Sequence, residues 1–242
     1  MKILNIPNLI TSLNLISGCL AIYFGFKGDI DLACLYIVLG AVFDFFDGMT
    51  ARALGVSGPI GKELDSLADV VTFGVAPSVL CYQLVALAAP AVVGSSSEFV
   101  SLAAFIMAAF SALRLAKFNC DERQTTSFIG LPTPANALFW IGLSSLAQIP
   151  GVIFFIGDHP APWLIAVLVL MLVFSFLLIC EIPMFSFKFK KGHTGWAENK
   201  LRYSFLVLSI ALIAVFAVFG QLPACFAAII PLYIIVSAIT SK

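Results

Sequence analysis

Long apolar runs alternate with short polar breaks along the whole chain. The hydrocarbon core of a bilayer is roughly 30 Å thick and takes about 20 apolar residues in a helix. Runs of that length fall at about 8–26, 32–54, 61–89, 99–118, 132–150, 162–181, 202–219 and 222–240. Turn-forming residues part them: Gly28-Asp29, Gly55 to Pro59, Pro90 with Gly94 and the serines after it, Asp121 to Gly130, Gly157 to Pro162, Lys188 to Lys200, and Gly220 to Pro223. This pattern predicts an all-α integral membrane protein, a bundle of about eight transmembrane helices with a polar site open to the cytoplasm. Lys2 ahead of an apolar run has the outline of a signal peptide. Asn5, Pro7, Asn8, Thr11 and Asn14 interrupt its start, however, and no small-residue cleavage pattern follows Phe26, so it reads as a retained first span.

Composition agrees with the pattern. Of 242 residues, 61% are hydrophobic and only 11% charged, and the mean hydropathy is +1.07. A soluble domain of this size could not hide so much apolar surface. No polar linker or low-complexity stretch divides the chain, so residues 1–242 are expected to form a single membrane-embedded domain. The six cysteines (Cys19, Cys34, Cys81, Cys120, Cys180, Cys225) include no C-x-x-C pair, which argues against a zinc site or a redox dithiol. His159 and His193 are isolated and read as loop residues. No nucleic-acid partner is expected.

The charges change the picture only when mapped. With an even number of spans, both termini share one side, and that side holds Lys2, Arg52, Lys62, Arg114, Lys117, Arg123, Lys188, Lys190, Lys191, Lys200, Arg202 and Lys242. Only Lys27 of the 13 basic residues falls opposite. Basic residues mark the cytoplasmic side, so the chain is expected in the cell (inner) membrane, multi-pass, with both termini and the polar site cytoplasmic. The strip Phe187-Lys188-Phe-Lys190-Lys191, with Lys200 and Arg202, fits topology and attraction to anionic membrane lipid; substrate phosphate is its other reading, with Lys188 the residue to test.

Most of the remaining polarity is concentrated between residues 44 and 69. At about 100° per residue, Asp44, Asp47, Gly48 and Ala51 share one helical stripe, and Gly61, Asp65, Asp69 and Thr72 share another on the next helix. The short turn between the two makes them antiparallel neighbours, so four carboxylates can converge near the cytoplasmic mouth. Four like charges at a low-dielectric edge repel one another and resist desolvation, and a bound cation removes both penalties. The ligands are all oxygen, which suits Mg²⁺, Mn²⁺ or Ca²⁺ rather than zinc. Four carboxylates could hold two ions, the arrangement suited to phosphoryl transfer. Gly48, Ala51 and Gly61 keep the floor of the site low enough for a phosphate ester. The bland alternative, membrane-edge acids paired with Arg52, Lys62 or Arg114, does not account for the spacing or the small residues beside it.

The pattern D-x2-D-G-x2-A-R-x8-G-x3-D-x3-D over residues 44–69 resembles the signature of the CDP-alcohol phosphotransferases and matches it at every fixed position. The resemblance implies a helical membrane bundle, usually dimeric, that displaces CMP from a CDP-linked lipid by an alcohol at a cytoplasm-facing site holding two Mg²⁺ or Mn²⁺ ions. It implies Asp44, Asp47 and Asp65 as ligands to one ion and Asp44, Asp65 and Asp69 to the other. Asp69 would also be the general base that takes the proton of the incoming hydroxyl. Gly48 and Arg52 would touch the CDP moiety, with Ala51 and Gly61 beside them. Gly58 stands where many members carry Ser or Thr, which leaves the neighbouring Ser57 as the candidate contact. Asn8 and Thr11 could face the nucleotide or merely start their helix.

The acceptor rests on softer signals. The opening Pro7-Asn8-Leu-Ile-Thr11-Ser-Leu-Asn14-Leu-Ile-Ser-Gly18 is similar to the phosphatidylserine-forming branch, and so is Leu113-Arg114-Leu-Ala-Lys117-Phe-Asn119 with Phe128-Ile-Gly130-Leu-Pro132-Thr-Pro134-Ala135. Arg114 and Lys117 share a helix face, and an arginine there could hold the carboxylate of serine; Asn119 is a further polar candidate. As membrane anchors, both basic residues would instead face headgroups. CDP-diacylglycerol and L-serine are therefore the expected substrates. Glycerol 3-phosphate, inositol phosphate or an amino alcohol are the alternative acceptors. A cation transporter is the rival from another class, but it gives no reason for Arg52 or for the glycine spacing. Residues 140–180 and 203–242 read only as apolar spans.

Overall fold

The computed structural model describes residues 5–56, 58–121, 128–184 and 200–240. Helix α1 (Ile6–Phe26) starts on Asn5, whose side-chain oxygen accepts from the Asn8 backbone N–H at 2.8 Å, with Pro7 in the first turn. Helix α2 (Ile30–Leu54) starts in the same way on Asp29, which accepts from the Leu32 N–H at 3.1 Å. It stops at Gly55, whose φ of +62° closes the helix in the left-handed region. Pro59 then opens α3 (Pro59–Asp69). A π-helical turn (Val70–Val75) carries α3 into α4 (Ala76–Ala86), beginning on the residue after Asp69.

Helices α5 (Ala89–Val93), α6 (Ser97–Leu102) and α7 (Ile106–Cys120) are joined by 3₁₀ turns into one helical run. After it come α8 (Thr133–Ala147), α9 (Pro150–Asp158), α10 (Pro160–Ile179), α11 (Lys200–Val218) and α12 (Phe226–Thr240). All eight stretches expected from the sequence are helical. Six of the described helical runs are long and apolar enough to cross a membrane. The fifth stretch is α8 and α9, bent by 84° where Pro150 cannot continue α8, and the seventh is a shorter apolar helix, Tyr203–Val218. The fourth run begins at Ala89 rather than near residue 99. Pro90 sits in the first turn of α5, where its missing N–H costs nothing, and is no break there.

One small feature departs from an all-helical expectation. β1 (Phe128–Ile129) pairs antiparallel with β2 (Pro183–Met184), Phe128 opposite Met184. Gly130 anchors the same segment: its N–H donates to Ile182 O at 2.9 Å, and its φ of +78° lets it lie against the carbonyls that end α10.

The helices turn apolar side chains outward, as a bilayer requires, and α1 buries its polar ones. On α1, Asn8, Thr11, Asn14 and Ser17 are buried while Leu9, Leu13 and Ile16 are exposed. On α10 the exposed residues Ile165, Val169, Leu172 and Phe176 make a lipid-facing stripe at helical spacing. This is a multi-pass membrane protein. Its apolar core lies where α8, α10 and α12 meet: Trp140 is fully buried, Phe139 stacks on Phe174 at 3.9 Å between centroids, and Gly142 admits the backbone of Ala227. At the level of the site, Thr72 fits between Gly18 and Gly40, where a Cβ on either glycine would strike it, and its hydroxyl donates to Asn14 O at 3.0 Å. That close approach fixes α1, α2 and the π-helical turn against one another.

Candidate active site

Helix α2 brings Asp44 and Asp47, and α3 brings Asp65 and Asp69. Carboxylate oxygens of Asp44, Asp47 and Asp65 all lie within 4.8 Å of one another. The Asp44 and Asp65 carboxyl groups come within hydrogen-bonding reach of each other. Asp65 Oδ1 is buried with no hydrogen-bond partner among the described residues. Like charges so close need a counter-charge between them, and an orphaned buried carboxylate oxygen is costly without a ligand. The donor set therefore fits a hard divalent cation.

Asp69 stands beside this trio rather than within it. It is nearly buried (9% exposed) and interacts electrostatically with Asp44, Asp65 and Asp47. Its Oδ1 accepts from Asn14 Nδ2 at 3.2 Å, and Thr11 Oγ1 donates to Asp47 Oδ2 at 2.6 Å. Two side chains of α1, one turn apart, thus fix two of the four carboxylates. Thr11 was legible in the sequence as a nucleotide-side candidate, whereas Asn14 was read as part of the opening similar to the phosphatidylserine-forming branch. Its signal was the run Asn8, Thr11, Asn14 at intervals of three, a polar stripe on an otherwise apolar helix.

A cavity of about 340 Å³ opens next to the carboxylates. Asn8, Thr11, Gly48, Ala51, Arg52 and Gly61 all line it, together with Asp47 and Asp65. Ser57 lies outside the described residues; Gly58 beside it is part of the wall. Gly48 leaves the floor open, since the nearest side-chain atom to a Cβ there would be Arg52 Nη1 at 3.5 Å. At Gly61 a Cβ would meet Asn8 Oδ1 at 3.3 Å, a tight contact that the Asn8 side chain would have to yield to by a few tenths of an ångström. Lys62, read from the sequence as a cytoplasmic charge or a partner of membrane-edge acids, lines the cavity and donates to Asn119 O at 2.9 Å.

The three acceptor candidates on α7 separate. Arg114 is buried (6% exposed), lies over the Phe118 ring at 5.1 Å, and interacts electrostatically with Asp69 and Tyr233. Lys117 bonds to Glu181 Oε1 at 3.1 Å and Ile179 O at 3.3 Å, at the end of α10. Asn119 Nδ2 donates to Ser66 Oγ at 2.7 Å, tying α7 to α3. Arg123, Lys188, Lys190, Lys191 and His193 lie outside the described residues, and of Lys200 and Arg202 only the backbone is described.

Fold and site together define a helical membrane protein with a carboxylate cluster, suited to a divalent cation, beside a cavity large enough for a phosphate ester. The CDP-alcohol phosphatidyltransferase family model matches residues 4–177, and the chain belongs to that family. It is 43% identical over 140 residues to a CDP-diacylglycerol–serine O-phosphatidyltransferase of Bacillus subtilis, covering 57% of this chain and 75% of that protein. It is 38% identical over 145 residues to the protein of that name from Methanocaldococcus jannaschii, covering 60% of this chain and 63% of the relative. The Mycobacterium leprae protein of the same name is 32% identical over 219 residues, 88% of this chain and 65% of the relative. The chain thus spans three quarters of the first relative and just under two thirds of the other two.

Proposed function

We propose that the protein transfers the phosphatidyl group of CDP-diacylglycerol to L-serine, forming phosphatidylserine and CMP. The observation that carries this reading is the carboxylate trio standing beside a cavity walled by Gly48, Ala51, Arg52 and Gly61. The relatives named for serine transfer support the choice of acceptor.

Asp44, Asp47, Asp65 and Asp69 would hold two Mg²⁺ or Mn²⁺ ions, which would supply neutralisation of the pyrophosphate and of the charge developing on CMP. Arg52 at the cavity wall pairs with phosphate oxygens through its planar fork. Asn8 and Thr11 border the nucleotide, and Gly48 and Gly61 let it approach the carboxylates. The acyl chains stay in the bilayer while the nucleotide occupies the polar mouth. Arg114 holds the serine carboxylate and so presents the serine hydroxyl to Asp69. Asp69 takes the hydroxyl proton as the serine oxygen attacks phosphorus. The bond from phosphorus to the CMP oxygen breaks, CMP leaves with the electron pair, and Asp69 returns the proton to solvent.

In this reading the site faces the cytoplasm of the inner membrane, on the side of twelve of the thirteen basic residues, and the protein works as a homodimer. A phosphorylated acceptor is the second reading. The described site offers Arg114 as a buried cation near Asp69, while Lys117 is held by Glu181, which favours an acceptor carrying one negative group. The test is CMP release by the purified protein from CDP-diacylglycerol with a panel of acceptors: L-serine, glycerol 3-phosphate, inositol phosphate and ethanolamine. Serine-dependent release is expected; release driven by another acceptor and not by serine contradicts the assignment.

A further inference from the structure

A second cavity, of about 280 Å³, lies at the other end of the bundle from the carboxylates. Gly28, in the turn from α1 to α2, forms part of its wall, whereas Thr11 on α1 lines the cavity beside Asp47 and Asp65. Most of the 21-residue α1 separates them, a distance of roughly 25 Å along a helix that rises about 1.5 Å per residue. The two cavities therefore sit in opposite leaflets. The remaining wall comes from α2, from the ends of α4 and α8, and from α9, whose 84° bend away from α8 brings Ile153 to the cavity. Leu87 and Ile153, about half exposed, make its rim toward the lipid.

Among the described residues no ionisable side chain lines this cavity, and its polar side chains are Gln83, Ser144 and Gln148. Gln83 Nε2 donates to Gly25 O at 2.6 Å, and Gln148 Nε2 donates to Asp31 Oδ1 at 3.2 Å. A carbonyl and a carboxylate can only accept, so both amides are oriented and each keeps its own oxygen as an acceptor. Ser144, 3% exposed, has a buried hydroxyl with no hydrogen-bond partner among the described residues. A buried hydroxyl left in that state is costly. A charged group of either sign finds no counter-charge in the wall: Lys27, next to Gly28, has its Nζ over the Tyr23 ring at 4.7 Å, and Asp31 is held by Gln148. A neutral hydroxyl matches what is offered, since it can donate to an amide oxygen and accept from Ser144.

We infer that this cavity binds the glyceryl end of an uncharged lipid with one free hydroxyl, a diacylglycerol, whose chains run out past Leu87 and Ile153 into the bilayer. The volume supports this division of the ligand. It is just under the roughly 300–1,000 Å³ of sites that enclose a whole small molecule, so it admits the glyceryl end and leaves the chains in lipid. The ligand enters from the leaflet opposite the carboxylates. The site goes beyond the proposed transfer reaction and does not rest on it.

The experiment is photolabelling of the purified protein, in phosphatidylcholine nanodiscs, by a diacylglycerol with a diazirine on one acyl chain. Labelled peptides are mapped by mass spectrometry, and label should concentrate around Leu87 and Ile153. Unlabelled diacylglycerol should compete. Its acetylated form, which lacks the hydroxyl, should compete roughly two- to tenfold less well, the loss of one hydrogen bond. Phosphatidic acid, which places a charge at the same position, should also compete poorly. Ser144→Ala should lower labelling by a similar two- to tenfold factor, and Ile153→Trp should block the rim. Elution volume and melting temperature report the folding of each variant; if Ser144→Ala does not fold, Ile153→Trp decides. Label spread evenly along the lipid-facing helices, equal competition by the acetylated lipid, or undiminished labelling of the folded variants overturns the site. Competition strongest by phosphatidic acid overturns the ligand class and gives the cavity to an anionic lipid.

Discussion

Asp69 and Asp44 are both acidic residues of the motif, and the proposed function gives them different work. Asp69 is held by Asn14 and lies in the field of Arg114, on the side where the acceptor would arrive. Asp44 is inside the close trio with Asp47 and Asp65. Asp69→Asn keeps the shape and a partner for Asn14 but cannot take a proton. Turnover should fall by at least the roughly 10²–10⁴-fold that general-base catalysis supplies, while affinity for CDP-diacylglycerol is largely kept. Asp44→Asn removes a ligand at the centre of the cluster and should weaken CDP-lipid binding as well. Lipid binding and serine-dependent CMP release, measured on both variants, separate these outcomes; near-normal turnover of Asp69→Asn would mean that another group is the base. At this scale much of the candidate site was legible from spacing. Asp44, Asp47, Asp65 and Asp69 stand at intervals that put them on facing stripes, and Gly48, Ala51, Arg52 and Gly61 fall on the cavity wall. Asn14 was not legible as a partner of Asp69. A polar side chain within an apolar run shows its meaning only through the carboxylate or guanidinium that another helix brings to it.

Helix α1 supplies two of the hydrogen bonds that orient carboxylates, so the catalytic geometry depends on how closely α1, α2 and the π-helical turn approach. Gly18 and Gly40 set that distance. Gly40→Ala places a methyl group against Thr72 and Asn14 with no room to move. It should destabilise the protein by about 1–3 kcal/mol, the usual cost of overpacking, and lower activity through Asn14 and Asp69. Gly151→Ala is the control: nothing lies within 4 Å of a Cβ there, and alanine is the better helix former. Thermal melting in detergent compares the two, and equal midpoints would contradict the role of this contact. Element boundaries were legible where turn residues mark them, as at Gly28-Asp29 and Gly55. They were misjudged at Pro90, since proline reads as a break in sequence but opens α5 in the fold. The bend at Pro150 and the β1–β2 pairing were also not legible. The first depends on what surrounds the broken turn, and the second joins segments more than fifty residues apart.

On the scale of the whole molecule, the apolar exterior of the helices and the cavity at residues 44–69 describe one device. In the proposed function, the bilayer carries the acyl chains of the lipid substrate, and the polar mouth receives its nucleotide and a water-soluble acceptor. The overall class was legible because hydropathy is a summed property that no single contact can overturn. The acceptor was less so, since the three candidates on α7 separate in the fold: Arg114 lies toward Asp69, Lys117 pairs with Glu181 and Asn119 bonds to Ser66. The central claim is that clustered carboxylates, loaded with divalent ions, drive transfer of a phosphatidyl group to serine. Its most direct test is CMP release from CDP-diacylglycerol by the purified protein, with and without L-serine, before and after exhaustive chelation and after return of Mn²⁺ or Mg²⁺. The expected result is release that requires serine, is abolished by EDTA and returns with the metal. Full release after chelation, or equal release without serine, would contradict the account.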